Sequence, residues 1–165
     1  MKRLIAICLL LATTFIANAQ INFEQKNLAI LEKIAFTTNY KTIKSFMKNN
    51  NFSFIEEREN EINLENEDFL EILFLEFKAE EGNAVSVCYV KKNKELIAVV
   101  NEMASAQTAY AESELRKQSF KIKLQNEEGK LWNKNSYKFQ IATDISDEKI
   151  QRVMFLSPSH PEYVK

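Results

Sequence analysis

Phe69-Leu70-Glu71-Ile72-Leu73-Phe74-Leu75-Glu76-Phe77-Lys78-Ala79 is the most informative run in this 165-residue chain. Read with the period of two that a strand imposes, it places Phe69, Leu73, Leu75 and Phe77 on one face. Leu70, Ile72 and Phe74 fall on the other. A strand that is apolar on both faces must be covered on both. A helix can cover one. The second needs another layer, supplied by the other half of the chain, a second copy or a partner, and cover from within the chain is the expectation.

On the C-terminal side, Glu81-Gly82-Asn83 is a turn leading into a strand over Ala84–Lys91. Lys92-Asn93-Lys94 turns again into a strand over Glu95–Asn101. Turns this short imply antiparallel pairing, because a parallel return needs a crossover of a dozen or more residues. On the N-terminal side, Phe52-Ser53-Phe54 and Glu61-Ile62-Asn63-Leu64-Glu65 read as two short strands. The acidic stretch Glu56 to Asp68 holds seven carboxylates and reads as a solvated connection. Asn63, Glu65 and Glu67 imitate the alternation of a calcium loop. Asp68 stands where that loop needs Gly, however, and Phe74 where it needs Glu, so it is not an EF-hand.

Ahead of these strands, Leu28, Leu31 and Ile34-Ala35 follow helical spacing, interrupted by Thr37-Thr38-Asn39 and resumed by Tyr40, Ile43 and Phe46-Met47. Asn49-Asn50-Asn51 ends this pair of short helices, or one bent helix, over 23–49. A second helix is predicted over 103–118. Strands follow over 120–124, 137–141 and 149–156, with a short strand or bend over 130–132, and then an irregular tail with Pro158 and Pro161. The fold class is therefore α+β, an antiparallel sheet with helices on one face. The repeated order suggests two tandem helix-then-strands units, 20–102 and 103–165. An ungapped offset of 68 lays Met47, Phe52, Phe54, Leu64, Phe69 and Leu73 on Leu115, Phe120, Ile122, Trp132, Tyr137 and Ile141.

This order of elements resembles the exported β-lactamase-inhibitor-protein-like domains, which repeat a helical segment and a small antiparallel sheet. It is also similar to the small outer-membrane-assembly lipoproteins built on one such unit. The resemblance covers about 25–156 and implies a domain that binds proteins and is not an enzyme. It carries no residue roles, and the chain departs from it in having neither a lipobox nor a cysteine pair.

The N-terminus has the form of a secretory signal over 1–19. Lys2 and Arg3 precede an apolar run from Leu4 to Ile16, and Ala17-Asn18-Ala19 supplies small residues at a cleavage site between Ala19 and Gln20. The run is shorter than the roughly 20 residues that span a bilayer. Cys8 follows Ile7 and belongs to the apolar run, so lipid attachment there is not expected. The mature chain is expected to be exported, to the periplasm or outside the cell, with no membrane span. It keeps one cysteine, Cys88, inside an apolar strand and expected to be buried.

Composition excludes several chemistries. Two glycines cannot build a phosphate-cradling loop. One His and two Cys cannot build a Cys/His zinc site. A net charge of −1 argues against nucleic acid as a partner. The single His160 lies between two prolines in the tail, a poor support for a catalytic imidazole. The expected function is thus a non-enzymatic binding or inhibitor-like module for another protein, with no cofactor and no metal. The alternative is a carrier of a small apolar ligand, and a homodimer is compatible with the second apolar face. Trp132 and Tyr137 are the candidate partner-binding residues, since Trp and Tyr dominate binding hot spots, and burial in the core is the competing role for both.

Overall fold

The computed structural model describes residues 20–64, 69–147 and 150–164. Two helices open it, α1 (Lys26–Thr37) and α2 (Ile43–Asn49). Leu28, Leu31 and Ile34 share one face of α1 and are buried. Gln25 caps α1 by accepting the Leu28 amide at 2.7 Å. The chain then turns through Asn39, whose Oδ1 accepts from the amides of Lys41 and Thr42 at 3.0 and 3.3 Å. After α2, Asn51 takes the left-handed backbone (φ 64°) that Asn tolerates better than most residues.

Four strands follow as a meander: β1 (Phe52–Asn63), β2 (Phe69–Ala79), β3 (Ala84–Val90) and β4 (Leu96–Ala104). Gly82 (φ 94°) makes the turn between β2 and β3. Helix α3 (Ser105–Lys117) carries the chain to the far edge. A second meander returns it through β5 (Lys121–Gln125), β6 (Gly129–Asn133), β7 (Gln140–Asp144) and β8 (Ile150–Leu156). All eight strands form one antiparallel sheet in the order β1-β2-β3-β4-β8-β7-β6-β5. The meanders meet where β4 pairs β8, with Val99 opposite Phe155 and Val100 opposite Met154. The chain is mixed α+β with an antiparallel sheet.

The helices pack on one face of that sheet. Leu73, Leu75 and Phe77 of β2 join Val87, Val99 and Phe155 in a core with α1, with Ile43 and Met47 of α2, and with Ala111 and Leu115 of α3. Burying each large apolar side chain contributes roughly 1.5–3 kcal/mol. Where the N-terminal segment meets the second meander, Phe23, Phe120, Tyr137 and Phe155 form an aromatic cluster with ring centroids 5.3–6.3 Å apart.

Four expectations need correction. The two short strands predicted on either side of residue 57 are one strand, β1. Most of the acidic stretch is therefore an edge strand and not a connection. It is tolerated as strand because its charges are paired: Arg58 with Glu76 on β2, Glu59 with Lys91 just past β3, and Glu57 with Lys44 on α2. Second, the strand predicted over 137–141 begins only at Gln140. Tyr137 donates its amide to the Lys134 carbonyl in a turn, and its ring and that of Phe139 still enter the core. Third, the offset of 68 sets Leu73 of β2 on Ile141 of β7. Counting strands from each end of the sheet would instead match β2 with β6, and β5 and β6 have 5 residues each where β1 and β2 have 12 and 11. Fourth, the other half of the chain does not layer over the second face of β2. Both meanders lie in the same sheet, and among the described residues the C-terminal tail is what the chain lays across that face, with Val164, His160 and Pro161 against it.

Candidate functional site

The face turned away from the helices carries the second apolar set. Ile72, Cys88, Ile97, Ala98, Leu131 and Leu156 are buried there. Ile62, Leu70, Phe74, Val90, Val100 and Met154 pack against them and stay partly exposed. Period-two alternation positions most of them, and a bulge in β4 opposite Cys88 and Tyr89 lets the adjacent Ile97 and Ala98 share the face. Ile72 lies opposite Val90, Phe74 opposite Cys88, Ala98 opposite Leu156, and Ala142 opposite both Met154 and Leu131. Leu70, Ile72 and Phe74 were legible as one face from sequence, whereas the strands that continue the patch came from the topology.

Charged side chains edge this patch, and they are tied to one another. The Arg58 guanidinium lies 5.2 Å from the centre of the Phe74 ring and bonds Glu76 at 2.5 Å. Arg152 on β8 reaches Glu102 on β4 at 3.1 Å and Asp144 on β7 at 3.3 Å, bridging the two meanders. Burial raises the pKa of Asp144, but two hydrogen bonds from Ser146 and the Arg152 charge overcome it, so the carboxyl lies below its usual value. Burial pushes the Cys88 thiol up to about 12.

The tail after β8 runs over this face in turns. Ser157 donates its amide to the Ile97 carbonyl at 2.9 Å, and His160 donates its amide to the Ser157 carbonyl at 2.9 Å. Val164 packs into the apolar patch. Two grooves result. One, of about 790 Å³, includes Ile62, Phe74, Cys88 and Val100 and is bounded by His160 and Pro161. The other, of about 730 Å³, includes Leu124, Leu131, Ala142 and Leu156. Met154 and Glu162 belong to both, so the tail stands between them. The imidazole of His160 is half-buried, and that burial lowers its pKa.

Trp132 and Tyr137 lie on the opposite side of the sheet. They are 1% and 5% exposed and belong to the helix-side core. The Trp132 indole donates to Thr143 Oγ1 at 3.2 Å, and that hydroxyl donates to Glu112 at 3.1 Å. The Tyr137 hydroxyl donates to Glu32 at 2.9 Å. Their polar atoms are thus engaged within the chain, and neither offers surface to a partner as placed. Cys88 is buried in β3. Ala19 lies outside the described residues, and Gln20 is the first described residue.

Among the described residues no cluster of three or more His, Cys, Asp or Glu could hold a metal ion, and no helix is long and apolar enough to cross a membrane. No family model, no curated protein and no solved structure matches the chain.

Proposed function

We propose that this chain is an exported, non-enzymatic binding module that recognises another protein through the open face of its sheet. One observation carries the reading: the partly exposed Ile62, Leu70, Phe74, Val90, Val100 and Met154 lie together on that face, edged by charges. A contiguous apolar patch with a polar rim marks an interaction surface on a monomeric protein. The rim residues Arg58, Glu76, Glu102, Asp144 and Arg152 are engaged in ion pairs at 2.5–3.3 Å, an arrangement suited to fixing orientation more than to moving protons. The secretory form of residues 1–19 supports export. The element order, which resembles that of inhibitor-like domains, supports protein binding.

The carrier reading draws on the size of the two grooves. Each groove, at about 790 and 730 Å³, falls within the size range of small-ligand pockets.

Photocrosslinking separates the two. A photoreactive residue is placed at Phe74 on the open face and, as a control, at Tyr110 on α3, which is 71% exposed. In an envelope and culture-supernatant fraction the Phe74 position is expected to give a discrete protein adduct that the Tyr110 position does not. Adducts of equal yield from both positions would defeat the reading. No adduct, with a small apolar molecule retained in the native mass spectrum, would replace it with the carrier.

A further inference from the structure

We infer that the C-terminal segment Pro158–Val164 is a removable strap: it occupies the sheet face as a ligand in cis, and the surface beneath it is a receptor for a peptide that presents, as Val164 does, one free backbone rung and an aliphatic side chain. This rests on reading that face as a binding surface, and it names both the kind of partner it fits and how access is controlled.

The central contact is between Gln140 and Val164. The Gln140 side chain is buried, and both of its polar atoms are spent on one residue of the tail. Nε2 donates to the Val164 carbonyl at 2.6 Å, and Oε1 accepts the Val164 amide at 3.0 Å. A side-chain amide bonded in this way imitates one rung of a strand pair. Lys123 Nζ also donates to the Val164 carbonyl, at 2.7 Å. These bonds read main chain, which every peptide possesses, so the site tolerates exchange of one segment for another. The Val164 side chain meanwhile enters the apolar patch.

The rest of the segment is built to come away. It pairs with no strand, and its bonds inside 157–164 are turns: His160 amide to Ser157 carbonyl, and Tyr163 amide to His160 carbonyl. The Ser157 amide, bonded to the Ile97 carbonyl at the end of the sheet, marks the hinge. Beyond it, Ser159 bonds Glu95, His160 and Pro161 lie against the larger groove, and the hydrogen bonds from strand side chains to the tail's backbone are at Val164. With the strap removed, the two grooves that it divides become one surface running from β2 to β6.

The test uses a labelled peptide of residues 157–165 and three proteins: the full chain, the chain ended at Ser157, and the ended chain carrying Gln140→Ala. The ended chain is expected to bind the peptide saturably and at least tenfold more tightly than the full chain. Gln140→Ala should weaken that binding at least fivefold. A folded ended chain that does not bind the peptide, or a full chain that binds it equally well, would overturn the strap. Should the ended chain not fold, Gln140→Ala in the full chain replaces it. Amide exchange at Val164 should then quicken at least tenfold while the helix-side core stays protected, and unchanged exchange would overturn the proposal. The Phe74 crosslink distinguishes the two readings. Equal adduct yield with and without the strap retains the binding module and removes the strap. Peptide binding without any protein adduct retains the strap and removes the protein-binding module.

Discussion

Tyr137 donates its hydroxyl to the carboxylate of Glu32, 105 residues earlier in the chain, at 2.9 Å. The same carboxylate accepts the backbone amides of Ile21 at 2.5 Å and Asn22 at 2.8 Å. One buried acid on α1 thus fastens the N-terminal segment to the second meander. Burial, reinforced by the Glu32 charge and hydrogen bond, holds the Tyr137 hydroxyl far above the usual tyrosine range. A hydrogen bond to a charged group contributes about 1.5–3 kcal/mol. Tyr137→Phe should therefore lower the unfolding free energy in urea by about that amount. Glu32→Ala should cost more, because three donors lose their acceptor. A double-mutant cycle on the pair should return a coupling above about 1 kcal/mol, and additivity within error would refute the fastening role.

Gly129 begins β6 where the chain leaves no room for a side chain. A Cβ built there lies 2.2 Å from the Thr143 carbonyl oxygen of β7. That oxygen is backbone, so it cannot swing aside as the end of a flexible side chain would. Gly129→Ala should cost about 1–3 kcal/mol or more through overpacking. Gly82→Ala should cost about 1–2 kcal/mol, for a different reason: space around it is open, but its φ of 94° strains any side chain. Urea midpoints for the two variants test the order, and a Gly129→Ala protein as stable as the parent would show that β6 and β7 can part freely.

The helix-side core was legible because local rules agree there. Leu28, Leu31 and Ile34 carry helical spacing, while Leu73, Leu75 and Phe77 carry strand spacing, and both sets are buried where those periods place them. Reading β1 failed because a strand at a sheet edge need not be apolar. Glu57 and Glu59 are held by Lys44 and Lys91, from α2 and from just past β3, which no local pattern reveals. Charged side chains on so long an edge also discourage pairing with another chain. Trp132 and Tyr137 show the limit of composition: a large amphipathic side chain suits an interface or a core equally, and only the packing of Trp132 beneath α3 and of Tyr137 against Phe23, Phe36 and Glu32 separates the two. The tail was legible as irregular from Pro158 and Pro161. Its contact with Gln140 was not, because the partner is a lone polar residue at the start of a strand with no motif around it.

Cys88 reports on the strap independently of any partner. It shares the larger groove with His160 and Pro161. With its thiol pushed up to about 12 by burial, about one molecule in ten thousand is ionised at pH 8, and only the thiolate is alkylated. In a Cys8→Ser background, iodoacetamide should modify Cys88 about a thousandfold more slowly than an exposed cysteine. Ending the chain at Ser157 should raise that rate at least tenfold, read by intact mass against time. A rate indifferent to the tail would mean that the groove is open already.

His160 gives the tail a pH dependence whose sign follows from its surroundings. Burial disfavours the charged imidazole, and the Glu162 carboxylate offsets this only in part, so the pKa in the folded chain lies below the unfolded value of about 6.5. Nδ1 also accepts the Glu162 amide at 3.1 Å, a bond that a protonated Nδ1 cannot make. Arg58, Glu76, Lys78, Cys88, Glu102 and Arg152 line the same groove and do not neutralise this cost: the Lys78 ammonium has the same sign as the imidazolium, and the other charged groups are paired with each other or with Asp144. Above about 6.5 both folded and unfolded imidazoles are neutral and the full stability is present. As pH falls from there, the unfolded chain binds the proton first and stability is lost, until the folded imidazole is protonated as well. The urea midpoint should therefore drop further between pH 7.5 and 5.5 in the parent than in His160→Gln, and the exchange of the Val164 amide, corrected for its intrinsic pH dependence, should quicken over the same interval. Equal drops in the two proteins would place the imidazole in solvent and remove it from the tail's hold on the sheet.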